Sequence, residues 1–347
     1  MDLIEYAPLG ARTTFKVGGE ARYLALGHSD SDIKEAKAFA ESESMPLLVL
    51  GLGSNILADD GVSEAVFFAP TYFGVDIKTQ GDNALLSVGA SERWDDVVSY
   101  AVENGYFGLE NLSGIPGTVG GAVVQNIGAY GAALSGTCSE VEVYDLKENA
   151  KRILTATECA FGYRDSIFKK TPDRFLILRA TFLLKSVGEV DISYRDLKEV
   201  FGASSPEVEA VRAQVLSIRA RKFPDLSVEG TAGSFFKNPI IGKKDAEALK
   251  IRFPEVPLYM VPEEEGVKIP LAWFLDRILG LRGYTEGFVR CFEQQPLVIV
   301  ASTGATAADV RRFAQKIQKR VLFEIGLNIT PEVCVLSKNI FQSRVDF

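Results

Sequence analysis

The segment Asn111–Gly131, NLSGIPGTVGGAVVQNIGAYG, constrains the fold more than any other stretch of the chain. It places six glycines, Gly114, Gly117, Gly120, Gly121, Gly128 and Gly131, around Pro116, and it carries no charged side chain. Glycine opens backbone conformations closed to other residues, and proline fixes one φ angle, so the stretch reads as a shaped loop and not as a linker. With few side chains in the way, its N–H groups can approach an anion, and a phosphate or pyrophosphate is the natural guest. A tight turn leading into a buried helix or strand would have the same composition.

The common phosphate signatures do not fit. No G-x-x-x-x-G-K-[ST] is present, which excludes a P-loop. A second glycine loop, Gly51–Leu57 (GLGSNIL), follows the apolar run Pro46–Leu50. Its G-x-G places Ile56 where a Rossmann fingerprint has its third glycine, so a standard dinucleotide fold is disfavoured. Two strand-then-glycine loops could together grip a large ligand carrying two phosphates.

The bulk properties exclude several function classes. A chain of 347 residues predicts two or three domains. The net charge is −8 and no Lys/Arg block offsets it, which argues against nucleic acid as a partner. Cys138, Cys159, Cys291 and Cys334 are far apart and form no CxxC, so neither a disulfide framework nor a structural zinc is expected. His28 is the single histidine. A Ser-His-Asp triad, a histidine metal site and a His-linked flavin are therefore disfavoured, and His28 itself reads as a surface loop residue. No metal is expected. The acidic start MDLIEYAPLG lacks a signal-peptide pattern, and no apolar run reaches the ~20 residues of a bilayer span, so a cytoplasmic protein without membrane contact is expected.

Along the chain, Thr13–Ala25 reads as a turn and a short strand, Asp30–Glu43 as an amphipathic helix, Leu47–Leu50 as a buried strand and Ala65–Ala69 as another. Ala84–Val88 is a predicted strand, and Arg93–Asn104 a helix stopped by Gly105. Strands are predicted at Val141–Asp145 and Phe175–Leu184. A helix is predicted at Pro206–Lys222, with Ser205 as N-cap and Pro206 at its first position. Further helices are expected at Asp245–Ile251 and Leu271–Leu279, and a strand at Pro296–Val300. A long helix with an inward stripe is expected at Thr306–Ile325, and a last strand at Ile329–Leu336. The expected division is 1–70 and 71–206 as two halves of one ligand-binding fold, 207–328 as a third domain, and 329–347 as a returning strand and tail.

Three short segments are polar for their surroundings. In Tyr163-Arg164-Asp165-Ser166, Arg164 offers a planar fork suited to a carboxylate, or simply pairs with Asp165. In Gly233–Pro239 (GSFFKNP), Ser234 follows a glycine and precedes two aromatics, which suits either an ordinary turn or a hydroxyl held dry against a flat ring. In Thr330-Pro331-Glu332-Val333, Glu332 stands in an otherwise apolar stretch, either as a buried acid with a partner or as an edge residue facing water.

Taken together, LGLGSNIL, SGIPGTVGGA, QNIGAYG, YRDS, AGSFFKNP and PEV occur in an order that resembles the UDP-N-acetylenolpyruvoylglucosamine reductase family over roughly residues 12–335. The resemblance implies an α+β chain: a bipartite FAD-binding fold of the vanillyl-alcohol oxidase type, followed by a C-terminal α+β substrate domain. It implies non-covalent FAD, NADPH as hydride donor, and a UDP-sugar substrate in peptidoglycan precursor synthesis, with a monomeric enzyme expected. FAD would be held around Gly51, Gly53, Ser54 and Asn55, around Ser113, Gly114, Ile115, Pro116, Gly117, Thr118, Gly120 and Gly121, and near Asn126 and Gly128. Ser234 would donate the proton, while Arg164 and Glu332 would bind and polarise the enolpyruvyl carboxylate. Tyr194, Lys222, Asn238, Tyr259 and Lys268 would reach the UDP portion. Tyr194 and Tyr259, each expected in an extended polar loop, resemble the longer-looped type I members. The chain departs from the family pattern at Cys334 and Ser337, where a basic residue and a glycine are usual. The nearest alternative is another flavoenzyme of the same fold, such as a sugar or lactone oxidase, for which Cys138 is a weak candidate tether. A non-catalytic nucleotide-sugar binder would have no need of Arg164, Ser234 and Glu332 together.

Overall fold

The computed structural model describes residues 1–261 and 266–336, so Ser337 and the tail beyond it lie outside the described residues. Two compact units are present. One comprises Met1–Ala7, Ala21–Gly53 and Glu64–Ala220; the other comprises Pro8–Glu20, Ser54–Ser63 and the chain from Arg221 onward.

The first unit is built on two sheets. Four strands lie in the order Asp2–Pro8, Glu20–Gly27, Val62–Pro70, Leu47–Val49. Leu47–Val49 was expected to be buried, but among the described residues it has one strand neighbour only, and Val49 is exposed. The helix Asp30–Ser42 starts at a capping box: Ser29 Oγ accepts from the Asp32 N–H, and the Asp32 carboxylate accepts from the Ser29 N–H. His28, just before it, is exposed. A five-stranded antiparallel sheet has the order Ala150–Thr155, Cys138–Asp145, Phe175–Lys185, Asn83–Gly89, Val75–Gln80. Its edge strands, Ala150–Thr155 and Val75–Gln80, are almost wholly exposed; Ala150–Thr155 shows no alternation, and in Val75–Gln80 only Val75 and Ile77 alternate with polar residues, so the sequence announced neither strongly. Beneath the sheet, Trp94 of the helix Trp94–Glu103 packs edge-to-face on Phe182 with ring centroids 5.7 Å apart, and its Nε1 donates to Leu112 O at 2.8 Å. That bond fastens the helix to the start of the glycine loop.

The helix expected at Pro206 begins at Val208. The carbonyl of Glu207 receives the first turn's N–H groups, from Ala210 and Val211, so Ser205 and Pro206 precede the helix instead of capping it.

The second unit has its own apolar core around Phe235, Phe236, Phe274, Ile299, Phe313 and Ile317. The helix Ala307–Ile325 spans it, with a Thr306/Asp309 capping box at one end and Gly326 at φ +85° at the other. Asp60 accepts the Ala307 and Ala308 N–H groups at 2.9 and 2.8 Å, placing negative charge at the helix N-terminus. One small sheet has the order Ile240–Ile241, Gly266–Lys268, Tyr259–Val261; another has the order Thr285–Glu286, Val289–Cys291, Ile299–Ala301. The last strand covers only Cys334–Leu336, where Ile329–Leu336 was expected. Pro331 has no N–H to give a ladder, and pairing starts after it, parallel to Ile56–Ala58.

Candidate active site

Within the first unit, both glycine loops meet. A Cβ on Gly51 would lie 2.9 Å from Thr118 Oγ1, so glycine is what allows the approach. No hydrogen bond among the described residues uses the N–H of Gly51, Leu52 or Gly53. The longer loop behaves differently. Ser113 N–H donates to Glu110 O, Gly114 N–H to Asp95 Oδ1 at 2.5 Å, Val119 N–H to Glu92 O, Gly120 N–H to Ala90 O and Gly121 N–H to Thr118 Oγ1. Only the N–H groups of Ile115, Gly117 and Thr118 are left without an acceptor among the described residues. This set of unengaged amides, lined by glycine, fits an anionic pyrophosphate.

The long loop is held by groups the sequence reading missed. Gly114 stands at φ +69°. Its N–H is held by Asp95 and its carbonyl by Arg219 Nε at 2.9 Å. Arg212 in turn grips Asp95 through two bonds, at 2.7 and 3.0 Å. Burial alone would raise the Asp95 carboxyl, but the Arg212 guanidinium and the Gly114 N–H outweigh it and hold it below its ordinary value. Burial lowers Arg219, with Tyr130 and Asp95 offsetting part of the effect. Arg212 and Arg219 are seven residues apart on one helix, so they share a face; that spacing was the available signal.

Asn126 ends the helix Val119–Gln125 in the left-handed conformation. Its Nδ2 donates to Gly162 O at 2.8 Å, and its Oδ1 accepts from the Ser135 N–H at 3.0 Å, so its side chain ties three segments together. Gly128 O accepts from Arg164 Nη2 at 2.6 Å. Arg164 is half-buried, while Asp165 is paired with Lys170 at 3.1 Å. Arg164 thus turns one guanidinium nitrogen toward the glycine segment. Tyr194, 41% exposed, packs edge-to-face on Tyr130 with ring centroids 5.4 Å apart. It directly precedes the helix Arg195–Phe201, where an extended loop had been expected. Cys138 and Cys159 are buried free thiols, both pushed up to about 12 by burial.

Within the second unit, Ser234 and Glu332 are brought together. Phe235 O accepts from the Glu332 N–H at 2.8 Å, Lys237 N–H donates to Thr330 O at 3.0 Å, and Phe236 bridges to Pro331. The GSFFK and TPEV segments thus run side by side. Gly233 at φ +78° turns the chain, and its N–H is anchored to the buried Thr231 hydroxyl at 3.2 Å. Phe235 and Phe236 behind Ser234 are fully buried. No hydrogen bond among the described residues uses the Ser234 hydroxyl, which leaves it for a ligand. Glu332 is half-buried, and its carbonyl accepts from Asn55 Nδ2 at 3.1 Å. Tyr259 and Lys268 are direct cross-strand neighbours; Tyr259 stands on a strand, where a loop was expected. Asn238 Oδ1 accepts the Leu271 N–H at 3.0 Å, which fixes its amide in place. Lys222 is the last residue of the helix Val208–Lys222.

Comparisons with known proteins agree with this arrangement. Residues 21–149 match a family model described as an FAD binding domain. Residues 225–336 match the C-terminal domain of UDP-N-acetylenolpyruvoylglucosamine reductase. The fold is similar to the crystal structure of UDP-N-acetylenolpyruvylglucosamine reductase from Thermus caldophilus, with a TM-score of 0.68 and 24% identity over 96% of this chain and 98% of that one. The α+β FAD-binding fold with a C-terminal domain is thereby established. Among the described residues, no helix is long and apolar enough to cross a membrane. The UDP-N-acetylenolpyruvoylglucosamine reductase of Pseudomonas aeruginosa is 38% identical over 96% of this chain and 98% of its own length, and that of Xanthomonas euvesicatoria 37% over 95% of each. At such identity over nearly its whole length, the chain belongs to the UDP-N-acetylenolpyruvoylglucosamine reductase family.

Proposed function

We propose that this chain reduces UDP-N-acetylglucosamine enolpyruvate to UDP-N-acetylmuramate, with FAD as cofactor and NADPH as reductant, in peptidoglycan precursor synthesis. The observation that supports the reading is the pairing of GSFFK with TPEV, which brings the Ser234 and Glu332 segments side by side where Phe235 and Phe236 are buried. Gly51–Asn55 and the Ile115, Gly117 and Thr118 amides would hold the pyrophosphate; Asn126 and Gly128 shape the wall beside it. FAD, when bound and reduced, would supply the hydride that the terminal carbon of the enol ether needs. Arg164 and Glu332 bind the carboxylate and stabilise the charge that develops on it. Ser234 donates its proton to the other carbon. Lys222, Asn238, Tyr259, Lys268 and Tyr194 hold the UDP portion, as in the type I members. Residues 1–70 and 71–206 form the two cofactor-binding parts and 207–328 the substrate domain; of the final segment 329–347, residues beyond 336 lie outside the described ones. A cytoplasmic monomer acting on a free nucleotide sugar completes the proposal.

The test is the visible spectrum of the purified protein through one cycle. It should be yellow, bleach with anaerobic NADPH, and recover its colour when the enolpyruvyl substrate is added. In Ser234→Ala, bleaching should persist and recovery should slow by at least about 100-fold. A protein that takes up no FAD would sink the reading. Recovery only with oxygen would move it to an oxidase, and normal recovery in Ser234→Ala would remove serine from the mechanism.

A further inference from the structure

Arg164 stands at φ +53°, a left-handed conformation that side chains other than glycine rarely adopt. The surroundings must hold it there. Gly162 and Asp165 exchange both backbone hydrogen bonds, at 3.0 and 3.1 Å, closing the turn that contains Arg164. Ser166, fully buried, donates Oγ to Val124 O at 2.7 Å. A further hold comes from Lys169, a residue the proposed reaction does not use. Its Nζ donates to Arg164 O at 3.0 Å and to Gln125 Oε1 at 2.9 Å. Gln125 is the last residue of the helix that grows from the long glycine loop. Arg164 is thus fixed at both ends: its carbonyl by Lys169, and its guanidinium by Gly128 O at 2.6 Å.

We propose that Lys169 is a positioning residue. It locks the left-handed turn at Arg164 to the end of the cofactor-loop helix and so aims the guanidinium at the substrate carboxylate. An ammonium suits the task, because it is a compact group with three donors that can serve two carbonyl oxygens at once. The inference rests on the carboxylate role proposed for Arg164.

The test uses the FAD-loaded enzyme with Lys169→Met, which keeps an unbranched stem and removes the donors. Turnover, flavin reduction by NADPH, and the binding of UDP-N-acetylmuramate and UDP-N-acetylglucosamine (read from the flavin spectrum) are compared with wild type. A lost charge-assisted hydrogen bond predicts a fall of about 30-fold in kcat/KM. The preference for the carboxylate-bearing ligand over UDP-N-acetylglucosamine should fall about tenfold. Flavin reduction and UDP-N-acetylglucosamine affinity should stay within about twofold, and Lys169→Arg should recover part of the preference. An unchanged ligand preference would overturn the proposal, as would equal loss for both ligands together with slowed flavin reduction. Should Lys169→Met fail to fold, Gln125→Met decides: it removes one acceptor of the ammonium, and a preference identical to wild type counts against the idea. Wild-type enzyme that does not turn over the enolpyruvyl substrate would instead defeat the functional reading beneath it.

Discussion

The two glycine loops resemble each other in sequence and differ in what their backbones do. In Gly51–Gly53 no N–H group is engaged among the described residues, and Gly51 lies against Thr118. In Ser113–Gly121 the N–H groups of Ser113, Gly114, Val119, Gly120 and Gly121 are all engaged within the protein. Glycines in the first loop lie among open amides. In the second they let a wall be built closely: a Cβ on Gly120 would lie 3.2 Å from Ala90 O, and one on Gly114 would lie 2.9 Å from Leu216 Cδ2. A glycine-rich stretch therefore does not by itself mark the ligand-facing backbone; the hydrogen-bond inventory does.

If that contrast is right, Gly114→Ala should act on stability first. The added methyl meets Leu216 and Arg219, and φ +69° is strained for alanine. Overpacking and a left-handed alanine together should cost about 3 kcal/mol. Equilibrium urea unfolding of the FAD-free protein would show it. A loss seen only with FAD present would break the contrast.

Asp95→Asn should come next, at about 2 kcal/mol, because Arg212 is mostly shielded while Asp95 keeps partial solvent access. The effect has a pH signature. The folded carboxyl lies below the unfolded value of about 3.9, so its contribution is present above that pH and is lost as pH falls through the folded value. Melting curves from pH 7 to pH 3 should show the gap between wild type and variant closing at the acid end. A constant gap would mean that Asp95 acts through packing and not through charge.

These clamps show where sequence reading stops. The helix Ala307–Ile325 was legible because Val310, Phe313, Ala314, Ile317 and Val321 form one buried stripe between a Thr306 cap and Gly326. Both glycine loops and the polar YRDS, GSFFK and PEV segments stood out in the sequence, while their roles came only from the family resemblance. What was not legible depends on pairing between distant segments. Gly114 between Asp95 and Arg219 is one case, Glu332 beside Phe235 another, and Lys169 between Arg164 and Gln125 a third. Each of these residues is unremarkable in its own local window. The left-handed backbone at Arg164 likewise follows from tertiary bonds and not from local preference.

Gly51→Ala sharpens the contrast from the other side. Its methyl would crowd Thr118 Oγ1, the hydroxyl that caps the helix Val119–Gln125, so the FAD-free protein should lose at most about 1 kcal/mol. FAD affinity should fall further, by about tenfold, because the displaced loop carries the open amides. Titrating FAD-free protein with FAD gives the affinity, and unfolding of the same sample gives the stability. Should the two effects stand in the same ratio as for Gly114→Ala, the loops would not differ in role.

The smallest effect is expected at Cys334. The far end of the first loop is tied down through backbone groups: Cys334 N–H donates to Asn55 O at 2.9 Å, and Glu332 O accepts from Asn55 Nδ2. The Cys334 side chain is exposed. A basic residue can therefore stand at this position without disturbing what holds the loop, and Cys334→Lys should leave the melting temperature within about 1 °C and turnover within about twofold. A large loss of FAD affinity in Cys334→Lys would show that the loop is anchored by that side chain, and the open-amide loop would then depend on the last strand for more than its backbone.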